Sequence, residues 1–443
     1  MAENYATVRQ QALDELASGA AQTAFRTFRS ILATVHLAHD RDLFADALEV
    51  FARIGGALAG DDFAATVRAA SRQPDNVQAL YDLGYELIEQ RLPALAAAVL
   101  TRANTLAPQQ EPIVTELVTA LERDMQYGAA CDVLRAAPEL LDDSFMCRYL
   151  LAYNAIMIGD LATPRGLLSQ LQPGNDGTEK FLAARITAML GRADALTDIS
   201  PLDEYDLRGW HYVLTGGILL HLSPYGIEDA MRGRYAFIQD SEELCVEGVR
   251  RLDAVLAAWH IRTPQIFVLP DRDSAILAHA AAKLLHCPLT PWPENGSDSP
   301  GLIVAYNLAS LDGDVLETLH EHRPGQILWS HTTCWIEDQP IAADLTTFLY
   351  QFNCVPWGER MEIDPQTNER RDIPADEGDP EEIGARVAAT TLEEGALADL
   401  PTLCALAQAA ARASGAATPA ALRATDTRER QWAGSPVPSN RFL

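Results

Sequence analysis

A recurring pair of amphipathic helices restricts this chain more than any other feature. From Val77 to Pro108 the sequence reads VQALYDLGYELIEQRLPALAAAVLTRANTLAP. Leu80, Leu83, Gly84 and Leu87 fall on one face of a first helix, Ala96, Leu100 and Ala103 fall on one face of a second, and Pro108 closes the unit. The small residues Gly84, Ala96 and Ala103 let two helices approach closely, and the leucines fill the groove between them. The pattern returns after roughly 34 residues. From Glu111 the equivalent positions are Leu117, Leu121, Ala130, Leu134 and Ala137, with Val118 at the glycine position; from Phe145 they are Leu151, Ala152 and Leu168, with Gly159 and Asp160 as the turn. Weaker copies flank these. LASGAAQTAFRTFRSIL places Gly19 at a turn and Ala24, Phe28 and Ile31 on a helix face, and MLGRADAL places Gly191 at another turn.

This unit resembles a tetratricopeptide repeat. The resemblance implies an α-helical solenoid over residues 1–200, whose concave groove binds a protein or peptide partner. The alternative is a helical bundle with periodic apolar positions, against which Gly84, Ala96, Ala103 and Pro108 argue together. The peptide-carboxylate clamp of the family needs basic and asparagine side chains along the first helices. Here those faces carry Glu86, Glu89, Glu116 and Glu122, which read as an acidic, solvated surface.

The charge is consistent with that. The 443 residues include 62 acidic against 34 basic side chains, a formal charge of -28, which disfavours nucleic acid and anionic membranes as partners because both attract basic surfaces. The start, MAENYATVRQQALDEL, has no basic segment leading into an apolar run, and no stretch of about 18 apolar residues follows, so a cytoplasmic location is expected. The seven cysteines are scattered without CxxC spacing and read as reduced, buried thiols, so no metal site is assigned.

Every tryptophan lies beyond residue 209, so a different core is expected after TDISPLDEYDL. GWHYVLTGGILLHLSP is either a helix or a strand pair. Beyond it, SEELCVEGVRRLDAVLAAWHI is a helix capped by Ser241. QIFVLP, PLTPW, GLIVAYN and QILWSHTTCW read as strands, and DRDSAILAHAAAKLLHC (begun by Asp273 or Ser274) and LDGDVLETLHEH as helices. That alternation predicts an α/β domain over 201–358 with a mainly parallel sheet, whose ligand loops would be Pro270–Ser274 and Asn307–Asp314.

The element order is similar to that of the phosphoribosyltransferase family, with IFVLPDRDSA at the pyrophosphate-loop position and LIVAYNLASLDG at the position of the acidic pair and phosphate loop. The resemblance implies substrate contacts from Arg272, Asp273 and Ser274 in the first loop and from Asn307 and Ser310 in the second. Tyr306 and Asn307 stand where the family has its acids, and the first loop lacks glycine, as expected of a degenerate, non-catalytic member.

His331 and Cys334 are placed to act as ligand or nucleophile, or to pack. Asp271 and Asp273 offer carboxylates to a divalent cation, or serve as turn and cap residues. His320 and His322 point in different directions on a helix and make no shared site. No Walker loop, GxGxxG, GxSxG or HExxH appears, and no cofactor is assigned. Residues 359–383 read as an acidic linker or excursion, 384–415 as a helical segment ending near Gly415, and 416–443 as a tail in which Trp432 and Phe442 could dock. The expected function is a protein-interaction scaffold with a non-catalytic α/β domain; the alternative is a transferase acting on a phosphorylated sugar or nucleotide, with the solenoid recruiting its substrate.

Overall fold

A computed structural model describes residues 2–32, 40–225, 231–363, 366–367, 369–413, 427–431 and 433–440. The chain divides into two compact units, Met1–Ile186 and Thr187–Leu443. Among the described residues, no helix is long and apolar enough to cross a membrane.

The first unit is helical: α1 (Ala2–Ala17), α2 (Ala21–Leu32), α3 (Arg41–Ala59), α4 (Asp61–Arg72), α5 (Val77–Glu89), α6 (Pro93–Leu106), α7 (Glu111–Arg123), α8 (Tyr127–Arg135), α9 (Pro138–Asp143), α10 (Phe145–Met157) and α11 (Ala162–Leu167). α12 (Gly177–Ala195) runs through the division. From α2 to α8 each helix packs on the one before it and the one after it. Side-chain caps start several of them: Asn76 accepts from the Ala79 N–H at 3.2 Å and Ser144 from the Cys147 N–H at 3.1 Å.

Most of the predicted stripe positions are buried, whereas Ile31 is only partly so and Leu168, also partly exposed, falls just beyond the end of α11. Leu80, Leu83, Ala96, Leu100, Ala103, Ala130 and Leu134 have no exposed surface. A methyl group added to Gly84 would lie 2.5 Å from Leu100 Cγ, so only glycine permits this approach of α5 to α6. The turns repeat as well. Arg91, Met125 and Gly159, each 34 residues after the last, adopt left-handed φ values of 58°, 57° and 81°. In each, the following N–H reaches back across the helix end: Leu92 to Leu87 O, Gln126 to Leu121 O, Asp160 to Ala155 O. Gly191 differs from its predicted place at a turn. It lies inside α12, where MLGRADAL continues the helix because nothing in it supplies a cap or a stop.

In the second unit the ambiguous GWHYVLTGGILLHLSP resolves into both elements, α13 (Leu207–Thr215) and β1 (Ile218–Leu219). Gly216 ends the helix at φ 78°, and a side chain on Gly217 would collide with Ala343 O. There follow β2 (Tyr235–Gln239), α14 (Glu242–Ala258), β3 (Ile266–Val268), α15 (Arg272–Leu285), β4 (Leu289–Pro291), β5 (Gly301–Asn307), a short 3-10 turn at Leu308–Ser310, α16 (Gly313–His320), β6 (Gln326–Cys334) and β7 (Leu345–Cys354). Among the described residues the sheet has seven strands in the order β1-β7-β6-β5-β3-β4, with β2 also on β7, and every pairing in it is parallel. β6 is buried along its whole length, as a central strand covered on both faces must be.

The expected acidic excursion contains an antiparallel hairpin, β8 (Arg360–Ile363) with β9 (Arg370–Ile373), and leads into α17 (Pro380–Ala389) and α18 (Leu400–Ala413). α17 packs on α15, with Gly384 against Ile276 and Ala280. In the tail, Arg234 donates to Val437 O at 3.1 Å, and Arg428 is buried beside Asp344. Gly415, Trp432 and Phe442 lie outside the described residues.

Candidate functional site

Two adjacent strands send their helices to opposite faces. Ile303 and Ala305 of β5 share an apolar cluster with Val315 and Leu316 of α16. The alternate residue, Tyr306, points the other way, toward Asp240 and His331, where α14 and its neighbour α15 lie. β3 therefore leads into α15 on one face and β5 into α16 on the other, so the connections reverse between these two strands, the place at which open parallel sheets commonly hold ligands.

The five residues selected from the sequence lie on the two loops that follow β3 and β5, and each makes internal bonds. The Arg272 guanidinium donates to the carbonyls of Asp376 at 2.6 Å and Gly378 at 2.9 Å. Asp273 Oδ1 accepts the indole N–H of Trp357 at 2.6 Å. Ser274 is fully buried, and its Oγ accepts the Tyr306 N–H at 2.9 Å, which ties the start of α15 to the end of β5. Asn307 caps the 3-10 turn through Ala309 N–H and donates to the Tyr350 hydroxyl at 2.7 Å, while the Ser310 hydroxyl donates to Asn307 O. Arg272 and Asp273 thus engage the 357–378 segment, whereas Asn307 and Ser310 belong to the second loop. The cap of α15 is Asp271, not Asp273 or Ser274 as expected: its Oδ1 accepts the Ser274 N–H at 2.9 Å from a β-region backbone. Burial pushes the Asp271 carboxyl above its ordinary range, and its Oδ2 has no hydrogen-bond partner among the described residues.

Beside the end of β5 lies a fully enclosed polar cluster. Asp240 follows β2, Cys245 sits in the first turn of α14, Tyr306 is on β5 and His331 on β6. None is more than 1% exposed except Asp240, at 3%. Asp240 Oδ1 accepts the Ser241 N–H at 2.7 Å. Its Oδ2 meets three groups at once: the Tyr306 hydroxyl at 2.6 Å, His331 Nε2 at 3.1 Å and the Cys245 thiol at 3.6 Å. Cys245 Sγ and His331 Nε2 are 3.7 Å apart. Burial, with the neighbouring carboxylate, pushes both the Cys245 thiol and the Tyr306 phenol well above their ordinary values. Gly248 leaves room for the imidazole, since a methyl group there would stand 2.9 Å from His331 Nδ1. Asp240, Cys245 and His331 each present one potential metal-ligating atom, all within 4.8 Å of one another.

Sequence reasoning singled out His331 but paired it with Cys334, which packs instead among Tyr235, Ile238, Phe348 and Tyr350. Its actual neighbours, Asp240 and Cys245, lie 91 and 86 residues away, so no spacing rule could have found them. A second buried network adjoins β1. His221 Nδ1 lies 2.7 Å from Glu247 Oε1 and its Nε2 2.9 Å from the Tyr235 hydroxyl; Arg251 donates to the same Glu247 oxygen at 2.6 Å and to Asp399 at 2.6 Å.

Fold and site define a helical unit followed by a parallel α/β unit with a buried Asp-Cys-His-Tyr cluster. No family model matches the sequence, and no curated protein matches it.

Proposed function

We propose that this chain is a protein-interaction scaffold, in which a tetratricopeptide-like solenoid presents a groove to a protein or peptide partner and the α/β unit is non-catalytic. One observation carries the second half of that reading. Among the described residues of the two loops that follow β3 and β5 Arg272 is the one basic side chain, and its guanidinium is engaged by two backbone carbonyls. Phosphoryl or phosphoribosyl chemistry needs convergent cations or amides at the place where charge develops. The recurrent turn at Arg91, Met125 and Gly159, and the close approach at Gly84, support the repeat reading. On α5, Tyr85 and Glu89 are exposed; burial chiefly raises the carboxyl of Glu116 on α7, with Arg123 opposing and Glu89 adding to the rise, and the exposed Glu89 offers a contact to a partner with basic side chains.

The test is a thermal-shift panel of nucleotides and sugar phosphates, with and without magnesium, on the full chain and on Arg272→Ala. The scaffold reading expects no stabilisation of either. A shift present in the wild type and lost in Arg272→Ala would replace it with the transferase reading. A purified partner should bind the chain saturably and lose affinity on Glu89→Lys.

A further inference from the structure

We propose that Asp240, Cys245 and His331 form a binding site for one divalent transition-metal ion, zinc by preference. The ligand chemistry is mixed and borderline-soft: a carboxylate oxygen, a thiolate and an imidazole nitrogen, a set that suits zinc and disfavours magnesium or calcium. The spacing fits as well. With bonds of about 2.3 Å to sulfur and about 2.0–2.1 Å to nitrogen and oxygen, tetrahedral angles separate sulfur from nitrogen by about 3.6 Å, sulfur from oxygen by about 3.5 Å and nitrogen from oxygen by about 3.3 Å. The corresponding separations here are 3.7, 3.6 and 3.1 Å. The three atoms outline one face of such a tetrahedron.

Two further observations point the same way. Asp240 Oδ2 faces three groups able to donate, the Tyr306 hydroxyl, the His331 ring in its Nε2–H tautomer and the Cys245 thiol, although a carboxylate oxygen carries two lone pairs. An ion that takes the thiolate and Nε2 as ligands removes two of those donors and leaves the Tyr306 hydroxyl as an outer-shell bond that orients the carboxylate. The charge also balances. A divalent ion with one carboxylate, one thiolate and one neutral imidazole is neutral, which is what an enclosed site among Trp329, Phe348 and Trp357 requires. On binding, the thiol proton is released to solvent and no redox change occurs. Three protein donors leave a fourth position for a small ligand.

Because the site is enclosed, the ion must enter as the chain folds, so the full-length untagged chain is produced in medium supplemented with zinc or with cobalt and purified without chelator. On the order of one zinc per chain is expected by elemental analysis. His331→Gln and Cys245→Ser should lower that content by more than about tenfold, whereas His320→Gln and Cys404→Ser leave it unchanged. The cobalt form should show the visible bands of a tetrahedral ion and a thiolate charge-transfer band. If the variants fail to fold, X-ray absorption on the wild-type zinc form decides, since the proposal requires one sulfur with nitrogen and oxygen ligands. A wild-type chain without bound metal, zinc retained equally by both ligand variants, or a zinc shell with no sulfur or several, overturns it.

Discussion

Arg91 and Met125 hold the same left-handed backbone conformation, at φ 58° and 57°, one 34-residue period apart, and Gly159 holds it one period further on. Glycine adopts this conformation without the Cβ clash that costs other residues about 1–2 kcal/mol, although it loses about 0.5–1 kcal/mol more backbone entropy on folding. Arg91→Gly and Met125→Gly are therefore each expected to stabilise the helical unit by up to about 1 kcal/mol. Urea unfolding followed by far-ultraviolet circular dichroism measures this. A loss of stability in both variants would mean that the side chains, not the turns, matter there.

Gly84→Ala should act in the opposite sense. Alanine favours a helix interior by about 1 kcal/mol, but its methyl would sit 2.5 Å from both Cγ and Cδ2 of Leu100, a side chain with no exposed surface onto which it could swing. Overpacking of this kind costs about 1–3 kcal/mol, so a net loss is expected. Leu100→Ala removes the obstacle at its own cost of about 2–5 kcal/mol, and Gly84→Ala should then cost less than it does in the wild type. Additivity of the two changes would argue against the contact.

The parts of the fold legible in the sequence were those in which local pattern and tertiary packing agree. The stripe Leu80, Leu83, Gly84, Leu87 reads as a helix face and is buried as one, and QIFVLP, GLIVAYN and QILWSHTTCW are strands of the sheet. β2 and β7 were not read as strands: YAFIQ is short, and although Asp344 and Pro356 bracket LTTFLYQFNC, its place between β1, β2 and β6 comes from pairing alone. The loop positions at Arg272 and Asn307 could be read from strand and helix order, but their bonding could not. Arg272 finds its partners 104 and 106 residues later, in a segment whose composition suggests only a linker. The enclosed cluster was beyond reach for the same reason, because Asp240, Cys245 and His331 meet only through the crossing of β2, α14 and β6.

In the helical unit, Glu122 is drawn in against Asn154 and is not part of the solvated face expected of it, and it makes stability depend on pH in an unusual direction. Burial pushes its carboxyl from 4.5 up to about 7, against the opposing hydrogen bond from Asn154 and the charge of Arg185. Between those values the folded chain holds a proton that the unfolded chain releases, so stability falls as pH rises through that window. Glu122→Gln keeps the Asn154 donor satisfied and removes the titration. It should therefore be more stable than the wild type at about pH 8 and little changed at about pH 4. Equal stability of the two proteins across the range would show that the carboxyl titrates normally.

Glu247 supplies the contrary sign in the α/β unit. Burial alone would raise its carboxyl, but the bond to His221 and the Arg251 guanidinium outweigh it and hold the group below its ordinary value. Its contribution is complete above the unfolded value and is lost as pH falls through the folded one. Arg251 is central here: 2.6 Å from Glu247 and from Asp399, with a side chain only 4% exposed, it neutralises the buried Glu247 carboxylate and also pairs with the more exposed Asp399. Arg251→Met should cost about 3–5 kcal/mol, because it leaves a buried carboxylate to His221 alone. Glu247→Gln combined with Arg251→Met should cost less than the sum of the single changes, since no buried charge is then stranded. All seven tryptophans lie beyond residue 209, so their fluorescence reports this unit and not the helical one. A fluorescence-detected transition that Arg251→Met leaves unmoved would show that the network is not holding β1 to α14.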